Sequence, residues 1–298
     1  MHRLPTEEET LAFWRDGADV LRGVLGRDEV AGMIPHVDAL IGQTGLVDMT
    51  AMGDALGRSG ASVLREQVSR SEPKASGDQQ TATGGRFRSG VDHWLADPAF
   101  ARFASASGLP AIAAALLRAS KLNLWEDSVL VKEPGSGERT AWHQDLSYFH
   151  VSGEKLCTTW VPLDEVDAHT GAMSFVRGSH RWPSLYRPNL FVSTAVIPGT
   201  SGDEVPDIDA LAARGEVELL QWDLSPGDVS VHHARTLHAA GANRSPTRWR
   251  RAISVRYCGD DARYYFRPGA PRKPHHADVR EGDVLDHERC PVVWRASD

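Results

Sequence analysis

The run Thr140-Ala-Trp-His-Gln-Asp-Leu-Ser-Tyr-Phe149 places a histidine and an aspartate two positions apart, His143 and Asp145, among aromatic and apolar neighbours. On an extended strand, residues i and i+2 point to one face. An imidazole and a carboxylate sharing a half-buried face need partners, because burying either alone is unfavourable. A metal ion would satisfy both. The alternative is an edge strand whose two polar residues sit in water. The pair by itself leaves both readings open.

The surroundings favour the strand. From about residue 121 the chain breaks into short apolar or alternating runs: KLNLWEDSVLVKEP, AWHQDLSYF, LCTTWVPLDEV, GAMSFVRGSH, EVELLQWDL, DVSVHHARTLH and RRAISVRYC. Gly, Pro, Asp and Ser separate them, as in antiparallel sandwiches and barrels. The stretch 184–216 has few strand signals and several Pro and Gly, and reads as an insertion over one end of the sandwich. The first part of the chain is different. Thr6 and Glu9 form a capping-box pattern before TLAFW, and Gly17 ends that helix. ADVLRGVL reads as a strand and RDEVAGMIPHVDALIG as an amphipathic helix. Residues 45–92 are polar and rich in small residues, and read as a surface loop. DPAFARFASASGLPAIAAALLRAS reads as helical, broken at Gly108-Leu109-Pro110. The organisation predicted is one domain over 1–298: a helical part to about 120, a β core from about 121 to 260, and the insertion. Residues 72–90 and 184–216 are expected to face the substrate.

Composition sets limits. The chain has 298 residues, 41% hydrophobic and 24% charged, with a net charge of −7. That balance gives no general attraction to nucleic acid or anionic membranes. Cys157, Cys258 and Cys290 are too few and too scattered for a disulfide framework, and suggest a reducing compartment. No signal-peptide pattern opens the sequence and no run of about 18 apolar residues is visible, so a cytoplasmic protein is expected.

A second group of residues lies in PGDVSVHHARTLHAAGANRSPTRWRRAISVRYC. It offers His232, His233 and His238, and then Arg250. Two histidines and a carboxylate with open positions suit non-haem Fe(II) in oxygen chemistry. A dicarboxylate co-substrate on such a metal needs a fixed cation at its far end, and an arginine fork binds a carboxylate in two places. Adjacent His232 and His233 face opposite sides of a strand, so at most one enters the site. A solvent-side and core-side pair accounts for both. His238 taken singly reads as a structural histidine, and Arg248, Arg250 and Arg251 as a solvated basic turn or a small anion-binding patch.

Together, LVKEPGSGERTAWHQDLSYF, TTWVPLDEVDAHTGAMSFVRGSHRW and GDVSVHHARTLHAAGANRSPTRWRRAIS resemble the phytanoyl-CoA dioxygenase family of Fe(II)- and 2-oxoglutarate-dependent oxygenases. The resemblance runs from about Leu122 to Tyr257. It implies a mainly β fold with flanking helices, the double-stranded β-helix of jelly-roll or cupin type. It implies iron ligands His143, Asp145 and His238, the last because the family's distal histidine precedes a small-residue turn and an Asn, here AAGAN with Asn243. Arg250 takes the role of the arginine on the distal carboxylate of 2-oxoglutarate. Trp160 matches a tryptophan of the co-substrate pocket, or is a plain core aromatic. Ser128 and Lys132 lie on a strand that often adds a co-substrate contact. The chain departs from many relatives at Ala240, where they carry serine. It keeps Asp145, where some relatives have Ala or Gly and a halide on iron, so hydroxylation is expected over halogenation. The resemblance also implies Fe(II), 2-oxoglutarate and O2 as cofactors, release of succinate and CO2, and a small-molecule substrate. A ligand-binding jelly roll without catalysis and a zinc hydrolase are the competing readings.

Overall fold

The computed structural model describes residues 2–43, 45–50 and 84–296. The helices are α1 (Glu7–Asp16), α2 (Arg27–Ala31), α3 (Ile34–Gly42), α4 (Pro98–Ala106), α5 (Leu109–Leu117) and α6 (Ile208–Ala213). The strands that build the site are β4 (Lys121–Lys132), β5 (Thr140–His143), β7 (Leu156–Pro162), β8 (Met173–Val176), β10 (Val229–His233), β11 (His238–Ala240) and β12 (Arg250–Cys258). The others are β1 (Ala18–Leu21), β2 (Val47–Asp48), β3 (Phe87–Val91), β6 (Val151–Ser152), β9 (Leu219–Gln221), β13 (Arg263–Tyr264) and β14 (Val292–Arg295).

The larger sheet has eight strands in the order β1-β10-β7-β12-β4-β3-β2, with β14 also pairing β4. The smaller has four, β5-β11-β8-β9, and β13 pairs β6 in a two-stranded ribbon. The ladders joining the named strands are antiparallel. Two facing antiparallel sheets with helices on the outside of one are the jelly roll expected from the sequence.

Side-chain alternation sorts the large sheet into two faces. Val129 and Val131 of β4, Val161 of β7, Val229 and Val231 of β10, and Ile253, Val255 and Tyr257 of β12 pack against α1, α4 and α5 in the main core. The opposite parity turns Leu130, Trp160 and Ala252 inward, where they meet Met173 and Phe175 of the small sheet. Ser128, Lys132, Thr158, His232, Arg250, Ser254 and Arg256 share that inward parity and are the polar groups of the interior.

Several local expectations hold. The Thr6 hydroxyl accepts from Glu9 N–H and the Glu9 carboxylate accepts from Thr6 N–H, a complete capping box. Gly17 closes α1 at φ 84°, a left-handed position that favours glycine, and a Cβ there would stand 2.3 Å from His180 Nδ1.

Other expectations need correction. The stretch read as one helix from Arg27 is two, α2 and α3, because the chain turns at Gly32 and restarts with Pro35 in the first turn. The stretch 45–92 is not wholly loop. β2 pairs β3, and β3 extends the large sheet beside β4; residues 51–83 lie outside the described residues. The segment Pro98–Leu117 is, by length and hydropathy, apolar enough to cross a membrane. Its two helices instead bury Phe100, Phe103, Leu109, Ile112 and Leu116 against the large sheet.

Candidate active site

His143 and Asp145 converge by a route the dipeptide spacing did not show. His143 is the last residue of β5, Gln144 is still extended, and Asp145 opens a 3-10 turn through Tyr148. The aspartate therefore reaches the site from a turn and not from the same strand face. That turn is tied down on every side. Gln144 donates to Arg235 O at 2.7 Å and its amide oxygen accepts from Tyr186 N–H at 2.9 Å. Ser147 donates to Tyr186 O at 2.6 Å. Arg267 donates to the carbonyls of Leu146 and Phe149 at 3.0 Å and of Val151 at 2.8 Å. His238 opens β11 directly opposite His143 in the small sheet.

Each histidine is oriented by a backbone carbonyl: His143 Nδ1 lies 2.8 Å from Ala141 O and His238 Nδ1 lies 2.9 Å from Thr236 O. A proton on Nδ1 leaves Nε2 as the lone-pair atom. Both Nε2 atoms lie 3.7 Å from Asp145 Oδ1, and ligand atoms of the three residues all fall within 4.8 Å of one another. All three are buried. Burial would raise the Asp145 carboxyl, but Arg256 and the surrounding histidines outweigh it and hold the group well below the usual carboxylate range. Burial, with His143 and His232 beside it, pushes His238 well down, toward the neutral form that a metal requires.

Three residues outside the expected ligand set surround the other carboxylate oxygen. Thr158 donates to Asp145 Oδ2 at 2.5 Å, His232 Nε2 lies 3.4 Å from it, and Arg256 Nε lies 3.8 Å away. His232 and His233 are not a solvent–core pair, because both are buried. His232 faces the side chains of Asp145 and His238; His233 packs behind the sheet on Phe13 and Trp14, and its Nε2 lies 2.7 Å from Glu154 O. The helix α1 covers the face that would otherwise meet water.

Beyond the triad a small chamber runs between the sheets to Arg250, lined also by Thr140, Trp160, Met173, Ala240 and Ser254. Arg250 is 1% exposed, and its Nε and Nη2 find no hydrogen-bond partner among the described residues. Burial pushes its guanidinium down to about 10, and its carbon lies 5.7 Å over the Trp160 ring. Lys132, directly across the ladder from Arg250, is also fully buried. It donates to Gly241 O at 2.5 Å, and burial and Arg250 push its ammonium well below the ordinary range. A buried guanidinium with unpartnered nitrogens favours an anion beside it. Ser128 lies elsewhere: its hydroxyl accepts from Arg256 at 2.6 Å and it lines the outer pocket, not the inner chamber. Thr140 stands opposite Ala240, so a hydroxyl is present where Ala240 has none. Arg248 and Arg251 point away, to Asp167 at 2.7 Å and to Asp164 and Asp38 at 2.7 and 2.8 Å.

On the other side of His143 and Asp145 an outer pocket of about 460 Å³ opens, walled by Trp125, Tyr148, Phe149 and Phe191. Its polar edge is Lys273, 2.7 Å from Asp92 and 2.9 Å from Glu126. Lys273 comes from the segment after the β core, for which the sequence showed no motif.

Fold and site together define a jelly-roll protein with two histidines and a carboxylate between a small chamber that ends at Arg250 and a larger, aromatic-walled pocket. The chain belongs to the phytanoyl-CoA dioxygenase family, whose pattern it matches over residues 13–252. It is 33% identical over 132 residues, 44% of this chain and 43% of the relative, to a probable alpha-ketoglutarate-dependent hypophosphite dioxygenase of Stutzerimonas stutzeri. It is 27% identical over 177 residues, 57% of this chain and 54% of the relative, to a probable phytanoyl-CoA dioxygenase of Caenorhabditis elegans. The matches thus span about half the length of these curated relatives. Among solved structures it is similar to the epimerase SnoN in complex with Fe3+, alpha ketoglutarate and nogalamycin RO, with a TM-score of 0.67, 25% identity, and coverage of 97% of this chain and 98% of that one. The fold is shared with iron-bound EctD from S. alaskensis, with a TM-score of 0.61, 20% identity, and coverage of 94% and 87%.

Proposed function

We propose that this chain is an Fe(II)- and 2-oxoglutarate-dependent oxygenase that hydroxylates a small metabolite or biosynthetic intermediate, releasing succinate and CO2. The observation that carries the reading is Arg250: a fully buried guanidinium with two unpartnered nitrogens at the end of a chamber that begins at the triad. A structural zinc site or a hydrolase has no use for such a cation, whereas a chelating dicarboxylate has.

The donor set fits the metal, since two imidazoles and one carboxylate with open positions are the facial triad of non-haem Fe(II). His143, Asp145 and His238 would hold it. When bound, iron with 2-oxoglutarate supplies the oxidising chemistry by which O2 is activated. The protein's own part follows from its residues. Arg250 binds the distal carboxylate in two places, with Thr140 offering a hydroxyl. Thr158 holds the free oxygen of Asp145 and so fixes which oxygen faces the metal. The aromatic walls of the outer pocket place the substrate against the open face and exclude water.

Asp145 supplies the third ligand itself, which supports oxygen transfer over halide transfer. The family's solved neighbours include an epimerase and a carbocyclase, so product mass decides among outcomes. Both sheets and the C-terminal segment contribute to one site, which supports reading residues 1–298 as one domain. Three buried free cysteines fit a cytoplasmic setting.

The test is an anaerobic titration with Fe(II) and then 2-oxoglutarate, followed by a substrate screen for succinate release and a gain of one oxygen. A weak visible charge-transfer band is expected. Bound iron with no band on adding 2-oxoglutarate refutes the reading.

A further inference from the structure

Phe191 stands out among the described residues. It has φ 64°, a left-handed conformation that is a clear outlier for a bulky side chain. Such strain persists only where the surroundings over-determine it. Here they do. Ala141 N–H donates to Phe191 O at 2.7 Å, which ties its backbone to β5 two residues before His143. Phe191 N–H donates to Asn189 Oδ1 at 3.0 Å. Asn189 is itself buried: its amide donates to Trp142 O at 2.8 Å, and both its oxygens lie 2.9 Å from the Tyr148 hydroxyl. The clamp therefore joins the insertion to the strand and the turn that carry His143 and Asp145.

The ring held by this clamp lies 5.2 Å from the His143 ring and 6.2 Å from Phe87. Among the described residues, the inner chamber and the outer pocket share five lining residues: Leu130, His143, Asp145, Phe191 and Arg256. Two of these are apolar. Leu130 is fixed on β4, and Phe191 alone comes from the insertion.

We propose that Phe191 is a positioning residue: its ring, held in a strained backbone, is the apolar partition between the co-substrate chamber and the substrate pocket. The proposal rests on the co-substrate reading above. With the ring in place, bound 2-oxoglutarate is shut from the outer pocket, and a substrate stops against the ring over the metal face. A lone packing role predicts only lost stability on truncation. A partition predicts a leak.

The test compares wild type with Phe191→Ala, Phe191→Leu and Asn189→Ala. The Fe(II)–2-oxoglutarate complex is formed anaerobically, and release of 2-oxoglutarate is followed by decay of the visible band after dilution. Expected is release faster by roughly tenfold in Phe191→Ala, recovery in Phe191→Leu, and a smaller acceleration in Asn189→Ala, which keeps the ring but loosens its clamp. Succinate formed in air without substrate should rise in the same order. Should Phe191→Ala fail to fold, Asn189→Ala carries the test. A lower melting temperature with unchanged release overturns the partition. Bound iron in wild type that gives no band with 2-oxoglutarate fails the parent reading instead, and the proposal falls with it.

Discussion

Replacing Arg250 by methionine should move two observables in opposite directions. Methionine keeps most of the stem's volume and removes the charge. In the free protein the guanidinium is buried with no ion pair among the described residues, and burial, against a weaker pull from Asp164, lowers it from 12.5 to about 10. That difference corresponds to ~3 kcal/mol against the charged form. Against it stands the contact with the Trp160 ring, worth ~0.5–2 kcal/mol. The ligand-free variant should therefore be more stable than wild type by ~1–2 kcal/mol, a rise of a few degrees in Tm. Binding changes the sign. A bidentate partner lost from a buried carboxylate costs ~2–5 kcal/mol, about 30- to several-thousand-fold in affinity for 2-oxoglutarate. The assay is thermal unfolding with anaerobic Fe(II), with and without 2-oxoglutarate, beside a direct titration. Wild type should gain Tm with co-substrate and Arg250→Met should not. Arg251→Met is the control: Arg251 is bound to Asp164 and Asp38 outside the chamber, so it should lose stability and keep affinity. Unchanged 2-oxoglutarate affinity in Arg250→Met would refute the clamp.

Asp145→Ala and His238→Ala should each abolish tight Fe(II) binding in an anaerobic titration, while His232→Ala, whose Nε2 approaches Asp145 at Oδ2 and not Oδ1, should weaken it less; the reverse order of the two histidines would reassign the ligand. Thr140→Val should raise the KM for 2-oxoglutarate by about tenfold, the loss of a ~1.5 kcal/mol hydrogen bond to a charged group, with iron affinity unchanged as the internal check. Asp127 lies behind the large sheet, where burial raises its carboxyl to about 7 and Oδ1 has no hydrogen-bond partner among the described residues. Its folded pKa exceeds the unfolded 3.8, so the folded state keeps the proton longer and loses relative stability as pH rises from about 4 to about 7. Asp127→Asn should therefore stabilise the protein, by at most ~4 kcal/mol above pH 7 and by little near pH 4, as melts across that range would show; a gain independent of pH would contradict the assignment.

The architecture was legible because short alternating runs with turn residues between them carry the jelly roll in their spacing. Long-range chemistry was less legible. His143 and Asp145 were found as a pair, but the wrong local structure was attached to them, since only the bonds from Gln144, Ser147 and Arg267 make the 3-10 turn. His232 and His233 could not be separated by pattern: which of two neighbours points inward depends on register, and what covers the other depends on a helix more than 200 residues earlier. The parity of β12 contained a usable signal, because Arg256 shares the face of Arg250 and so had to reach the interior. Lys273 and Phe191 lie in irregular segments, whose positions are set by tertiary bonds and leave no period to read.

Arg250 and Lys132 sit on the large sheet, and His143 and His238 on the small one. Anything that touches both groups must cross the space between the layers, and stacked sheets lie ~10 Å apart. The core packing of Met173, Phe175, Trp160 and Ala252 sets that separation, so the same residues that hold the sandwich together act as a ruler. The separation of the two groups is then set by the packing of the protein's interior, and a substitution such as Ala252→Val, on the inward face two residues from Arg250, would change it.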